Sequence, residues 1–470
     1  MKVEQIYTGC LAQGAYYIES NGEAAIIDPL REVTPYMDRA LKDNAKIKYI
    51  FETHFHADFV SGHVTLAEKT AATIVFGPNA VTNFNAHIAK DNEVFTIGDL
   101  TIIALHTPGH TMESTSYLLK DKNGKDYALF SGDTLFLGDV GRPDLAQKIG
   151  ELTEADLAGF LFDSLRTKIM TLADDVIVYP AHGAGSACGK NLSSETVGSI
   201  GEQKKTNYAL RADMSKEEFI EEVTDGLLPP PAYFPLNVKL NKEGYQDIDQ
   251  VISKGTHAFS VEDFEKVANE TDALILDVRH QSEFKKGFIP RSIFIGIDGG
   301  FAPWVGALIK DIEQPILLIA PEGREEEVII RLSRVGFDNT LGYLKGSFNA
   351  WQSSGKEVDS IASISASTLE KEINQNNALV FDTRKPGEFA SEHVLKAENT
   401  PLDYLNSHIG KFPVKQDFYV HCASGYRSVI ASSILKARGI HSVVDVLGGF
   451  KAIKETEIRT TEAVCPSTLK

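Results

Sequence analysis

The sequence predicts a multidomain α/β chain with a metal site in its first block and a duplicated unit in the remainder. Three observations carry that reading. Short apolar runs alternate with helical stretches; four such runs in residues 1–240 end in histidine or aspartate; and two segments of the second half repeat each other in order and spacing. At 470 residues the chain is too long for one ordinary core.

Composition narrows the function classes. An apolar content of 43% with 24% charged residues is that of a globular protein. The net charge of −18, from 47 basic and 65 acidic residues, argues against nucleic acid or an anionic membrane as partner. MKVEQIYTGCLAQG at the N-terminus lacks the apolar core of a signal peptide, and no run approaches a membrane span. Four scattered cysteines (Cys10, Cys188, Cys422 and Cys465) form no disulfide framework, so a reducing cytoplasm is expected.

Taken in order, the first block is expected to span residues 1–243. GLLPPPAYFPLNVKLNKEGY (226–245) then reads as a connector, because its proline cluster continues neither helix nor sheet. Beyond it, LILDVRHQSEF (274–284) matches LVFDTRKPGEF (379–389), ILLIAPEGREEE (316–327) matches FYVHCASGYRS (418–428), and GYLKGSFNAW (342–351) matches DVLGGFKAIK (445–454). The repeating unit is about 100 residues, ordinary domain size, with expected limits 258–357 and 363–470. Alternating strand and helix implies a largely parallel sheet in each.

The chemistry of the first block lies at strand ends. KIKYIFETHFHAD delivers His54, His56 and Asp58; LTIIALHTPGH delivers His110 after a Pro-Gly turn; DYALFSGD delivers Asp133; VIVYPAHG delivers His182. Strand bodies build the sheet while the loops at one edge carry function, so six ligand-type residues can converge at one sheet edge. His63, His87, His106 and His257 belong to no such cluster and read as surface or packing residues.

HFHAD, TPGH, SGDTLF and PAHG, in this order, resemble the metallo-β-lactamase superfamily, whose fold is an αββα sandwich. FLGDVGRPDL (136–145) and AHGAGSACGKNLS (181–193) resemble its persulfide dioxygenase branch, and PPPAYFPLN resembles the linker of dioxygenase–rhodanese fusions. Hydrolases of the superfamily commonly hold two metals bridged at the position of Asp133. Here Phe59 stands where the second site would take a histidine, which favours one metal. The resemblance maps a mononuclear Fe(II) triad, one iron per chain, onto His54, His110 and Asp133. It leaves His56, Asp58 and His182 behind the metal, where they orient ligands or bind water. The alternative is a zinc site at His54, His56 and His110 that hydrolyses a thioester, as a glyoxalase-II-like enzyme does. Spacing alone leaves both open. Arg142 reads either as a contact for an anionic substrate or as an ion pair with Asp144. Lys190 is a candidate for the carboxylate or phosphate of a thiol carrier, and Cys188 is a buried filler before it is a sulfur relay.

In HCASGYRSVIASSILKARG, Cys422 ends an apolar run and precedes a helix stopped by Gly439. The loop 422–427 can turn its N–H groups inward as an anion nest, the helix N-terminus adds partial positive charge, and Arg427 adds a full one. That setting favours thiolate. With DTR and LGGF it resembles the rhodanese family, which carries sulfane sulfur as a cysteine persulfide. Its phosphatase relatives have one more loop residue. The first repeat departs from this: Ala320 stands against Cys422 and the loop reads APEGREEE, so it keeps the fold without the transferase chemistry.

Together the resemblances imply a low-molecular-weight persulfide oxidised with O2 to thiol and sulfite, with Cys422 and Arg427 moving sulfane sulfur between persulfide, sulfite and thiosulfate. They imply sulfide detoxification, a homodimer or homotetramer, and small-molecule partners without nucleic acid or membrane.

Overall fold

The computed structural model describes residues 1–145 and 152–464, so Cys465 lies outside the described residues. The chain divides into two compact units, Met1–Ile248 with Ser333–Gly336, and Asp249–Leu332 with Phe337–Lys470. Among the described residues no helix is long and apolar enough to cross a membrane.

The N-terminal unit is a sandwich of two six-stranded sheets. One runs in the order Lys2–Thr8, Gln13–Ser20, Glu23–Ile27, Lys46–Phe51, Thr73–Phe76 and His87–Ile88. The other runs Gly198–Ser199, Ile177–Pro180, Asp126–Gly132, Thr115–Lys120, Leu100–His106 and Glu93–Ile97. The period-2 geometry of a strand sorts its residues between two layers. Along Gln13–Ser20, Tyr16 and Ile18 join Phe51, Ile102, Tyr117 and Phe130 between the sheets, while Ala15 and Tyr17 turn outward. That outer face packs with Tyr36, Ala40 and Leu66 of helices Thr34–Lys42 and His63–Thr70. The opposite sheet is covered by Leu161 and Phe219 of helices Glu154–Ser164 and Lys216–Thr224. This is the expected αββα layering.

The proline-rich connector is more than a spacer. Pro235 sits in the first turn of helix Phe234–Glu243, where its missing N–H leaves no intrahelical bond unmade. Asn237 and Asn241 of that helix are buried. The expectation that the cluster ends regular structure holds only for its first prolines.

The C-terminal unit contains the duplication. One sheet orders its strands Ala258–Phe259, Thr340–Leu344, Ile316–Ile319, Leu274–Asp277 and Ile293–Phe294. The other orders Ala362–Ile364, Val443–Val446, Phe418–His421, Leu379–Asp382 and Glu398–Asn399. Every pairing is parallel, and the order by position is the same. The Asp-x-Arg motif is used alike in both. Arg279 Nη2 donates to Asp277 at 2.6 Å and to Gly287 O at 2.9 Å, with its guanidinium 4.3 Å from the Phe348 ring centroid. Arg384 Nη2 donates to Asp382 at 2.6 Å and Glu392 O at 2.7 Å, 3.9 Å from the Phe450 ring.

The turn that delivers His110 depends on Gly109, whose φ is +143° and whose added Cβ would lie 2.3 Å from Leu161 N. Gly109→Ala therefore meets both backbone strain and a backbone atom that cannot give way. It is expected to lower stability by at least about 1 kcal/mol and to reduce bound metal, read by thermal unfolding and metal analysis of one sample.

Candidate metal centre and cysteine loop

Asp133 follows strand Asp126–Gly132 and is buried, with neither carboxylate oxygen accepting a hydrogen bond from the described protein. Three imidazoles face it through Nε2. His110 and His54 lie 3.5 and 3.9 Å from Oδ2, and His182 lies 3.6 Å from Oδ1.

The opposite ring nitrogens fix what those Nε2 atoms carry. His110 Nδ1 is 2.9 Å from Arg142 O, and His182 Nδ1 is 3.3 Å from Ala12 O. A carbonyl only accepts, so Nδ1 holds the proton and Nε2 is bare. His54 Nδ1 is 3.0 Å from Thr53 Oγ1, whose own proton goes to Asp28 Oδ2 at 2.9 Å. Nδ1 is again the donor. Burial, followed by the neighbouring imidazoles of His56, His110 and His182, holds His54 well below the usual histidine range, so it is neutral. Three lone pairs thus point at a buried carboxylate. Lone pair against anion is repulsive, and an unpaired buried carboxylate costs several kcal/mol, so the donor set fits a cation between them.

The structure brings all six sequence-derived residues into two separate donor sets, His54–His110–Asp133 and His56–Asp58–His182. His56 differs from the others. Its Nε2 lies 3.0 Å from Asp28 Oδ1 and 3.5 Å from Glu52 Oε2. Although burial opposes it, these carboxylates raise His56 to about 9. Phe59 is fully buried and stacks on His56 with centroids 4.3 Å apart. Asp58 lies 3.5 Å from His182 Nε2, and Cys188 is buried within reach of Asp133 and His182.

Two candidates do other work. Arg142 is the ion-pair alternative: Nε and Nη2 each bond Asp144 at 2.6 Å, Nη2 also bonds Leu228 O, and Nη1 bonds Ala187 O. Every guanidinium nitrogen has a protein partner, and the residue serves the site through its carbonyl, which orients His110. Lys190 donates to Glu222 O at 2.8 Å and to Asp225 O, capping helix Lys216–Thr224 at the end where cations are favoured. The four histidines set aside behave as packing or surface groups; His63, for example, is buried against Phe84 and Tyr245.

Sequence reasoning missed Asp28, Glu52 and Asn241. Asn241 Nδ2 donates to His56 O and Phe59 O, both at 2.8 Å, and its Oδ1 accepts from Ser61 N at 2.9 Å. It braces the HFHADF loop from the connector helix. Asp28 ends a strand without a motif around it, and Asn241 is one polar residue in a helical run, so neither carried a signal.

In the second repeat Cys422 follows strand Phe418–His421 and precedes helix Arg427–Ala437. Gly425 N lies 3.1 Å from its Sγ, the inward N–H expected of a nest. Gly449, with φ +58°, lets the facing segment approach, since an added Cβ would lie 2.4 Å from Cys422 O. The approach is closed by Phe450 N donating to Cys422 O at 2.6 Å and Lys451 N to Ala423 O at 3.0 Å. Arg427 is clamped by Glu388 through two bonds of 2.6 and 2.8 Å, so its charge is largely matched and it acts first as a brace. The first repeat holds the loop from outside: Tyr426 Oη donates to Gly296 O at 2.7 Å. Tyr426→Phe is expected to slow sulfur transfer about three- to tenfold, the worth of one hydrogen bond, and to leave reactions at the metal centre unchanged. Parallel assays of the two activities read this.

Residues 8–182 match the metallo-beta-lactamase superfamily, and residues 260–354 and 365–456 match the rhodanese-like domain. A solved metallo-beta-lactamase from Staphylococcus aureus is 30% identical, covering 73% of this chain and 98% of its own, with a TM-score of 0.64. Human mitochondrial persulfide dioxygenase ETHE1 is 28% identical over 47% of this chain and 78% of its own length. Cytoplasmic hydroxyacylglutathione hydrolase of Arabidopsis thaliana is 36% identical over 28% of this chain, which spans only 53% of that relative. The sandwich, the duplicated parallel sheets and these matches make the chain a member of the metallo-β-lactamase superfamily that carries two rhodanese-like domains.

Proposed function

We propose that the N-terminal unit oxidises a low-molecular-weight persulfide with O2 to thiol and sulfite at one Fe(II), and that the second repeat moves sulfane sulfur through Cys422. The overall balance is R–S–SH + O2 + H2O giving R–SH and sulfurous acid. The observation that carries this reading is the union, in one chain, of a buried two-histidine–carboxylate set with a cysteine in an anion nest. His54, His110 and Asp133 would hold the iron, whose open positions supply a centre for O2 and a sulfur anion. Arg142 O, and Thr53 with Asp28, hold two imidazoles in the required tautomer. Asn241 fixes the loop between them. His182 and Asp58 border the open side, where they can hold water and pass a proton to the leaving thiol.

At the second site Cys422 attacks a sulfane sulfur as thiolate, releases thiol or sulfite, and holds the sulfur as persulfide. Sulfite attacking that outer sulfur regenerates the thiolate and gives thiosulfate; the reverse steps make persulfide from thiosulfate. The nest N–H groups stabilise the anionic sulfur in both directions. Carrying both sites on one chain raises the local concentration of a reactive intermediate. Sulfide detoxification in the cytoplasm by a homodimer or homotetramer follows from the same reading.

A second reading, zinc-dependent thioester hydrolysis, is favoured by the likeness to the Arabidopsis hydrolase and by the donor set His56–Asp58–His182, which stands in place of the His54–His56–His110 set expected from the sequence. It predicts turnover without oxygen.

His110→Ala is expected to lower oxygen uptake on a synthetic persulfide by more than about 100-fold while thiosulfate-dependent transfer stays within about twofold. Cys422→Ser should give the converse pattern. Loss of both activities in either folded variant would contradict the division of labour.

A further inference from the structure

The first repeat is not merely the second with its cysteine removed. Residues 320–325 and 422–427 have equal length, and Gly323 (φ +82°) occupies the left-handed position of Gly425 (φ +101°). On that shared frame Ala320 stands for Cys422, Glu322 for Ser424 and Glu325 for Arg427. Ser347, which follows the capping Gly346 as Gly449 follows Gly448, stands for Gly449, one residue off the sequence match. Each change has a physical consequence.

The charge reversal at 325 removes the partner of the conserved-in-repeat glutamate. Glu388 holds Arg427 in the second repeat, whereas its counterpart Glu283 has no ion-pair partner among the described residues. Ser347, at φ +53°, carries a Cβ where Gly449 has none. At Gly449 that atom would lie 2.4 Å from the loop carbonyl, so the loop of the first repeat cannot close on its facing segment in the same way. In place of the closed nest there is a cavity of about 490 Å³ lined by Glu283, Lys286, Glu322, Ser347, Phe348 and Asn349. Arg279 also borders it but is neutralised by Asp277. Ser347 is 9% exposed, and its hydroxyl, itself closed off from the cavity, has no hydrogen-bond partner among the described residues.

The polarity of this cavity is the inverse of the Cys422 loop. Two carboxylates, Glu283 and Glu322, and one ammonium, Lys286, remain without ion-pair partners among the described residues. A sulfur oxyanion would meet more negative than positive charge. A ligand with an ammonium for the glutamates and a carboxylate for Lys286 matches all three. We propose that the first repeat is a binding site for a small zwitterion of the amino-acid class, a free amino acid or a short peptide. This does not rest on the reaction assigned to the metal centre or to Cys422, and it gives the repeat without a nucleophile a binding role.

Isothermal titration of the full chain with glycine, S-methylcysteine and S-methylglutathione, all unreactive at sulfur, tests the proposal. Saturable binding of at least one is expected, unchanged in Cys422→Ser and not displaced by thiosulfate. The double variant Glu283→Gln/Glu322→Gln should weaken it at least about tenfold, the worth of one charge-assisted hydrogen bond. Both glutamates are exposed at the rim, so the fold is not at risk, and thermal unfolding checks this. No saturable binding by any of the three, binding that survives the double variant, or competition by thiosulfate would each overturn it.

Discussion

A buried carboxylate faced by three imidazole lone pairs, with no hydrogen bond that satisfies it among the described residues, is stabilised by a cation. Asp133 imposes that condition on the N-terminal unit. The surrounding architecture serves it. Strands from both sheets end at the same edge, so His54, His110, Asp133 and His182 arrive from four separate loops without any loop being long. Behind them, backbone carbonyls and Thr53 fix which nitrogen of each ring carries the proton. The donor set is therefore preorganised for a metal by bonds that do not involve one.

The C-terminal unit repeats one frame twice, with a cysteine in the loop of one copy and an alanine in the loop of the other. Both repeats keep the strand order, the Asp-x-Arg pair and the arginine–phenylalanine contact, which belong to packing. They diverge at loop residues, where one copy has a clamped arginine and a glycine and the other a glutamate and a serine. The fold is insensitive to those positions, and the chemistry depends on them. The Tyr426–Gly296 bond also makes the first repeat part of the frame that holds the Cys422 loop.

Much of this was legible in the sequence because strand-end histidines and aspartates, and a cysteine followed by Ser-Gly-x-Arg, are local patterns. The parallel repeats followed from the order of apolar runs and helical stretches, whereas the αββα layering was implied by the resemblance that those motifs carry. What escaped was non-local. Asn241 reaches His56 and Phe59 of the HFHADF loop from 185 and 182 residues away in sequence, within a segment that prolines marked as a connector. Glu388 on Arg427 and Asp144 on Arg142 change what each arginine does. A charge written in a sequence says nothing of the partner that neutralises it. His56 lay between these cases: its motif placed it at the site, and only geometry showed its Nε2 turned toward Asp28 and Glu52.

The proposed function requires a single oxygen-using metal at Asp133. Metal analysis of the purified full chain, combined with oxygen uptake on adding a synthetic persulfide, tests this. About one iron per chain and one O2 consumed per persulfide are expected. Zinc in its place, or two metals per chain, with thioester turnover that persists without oxygen, would contradict it.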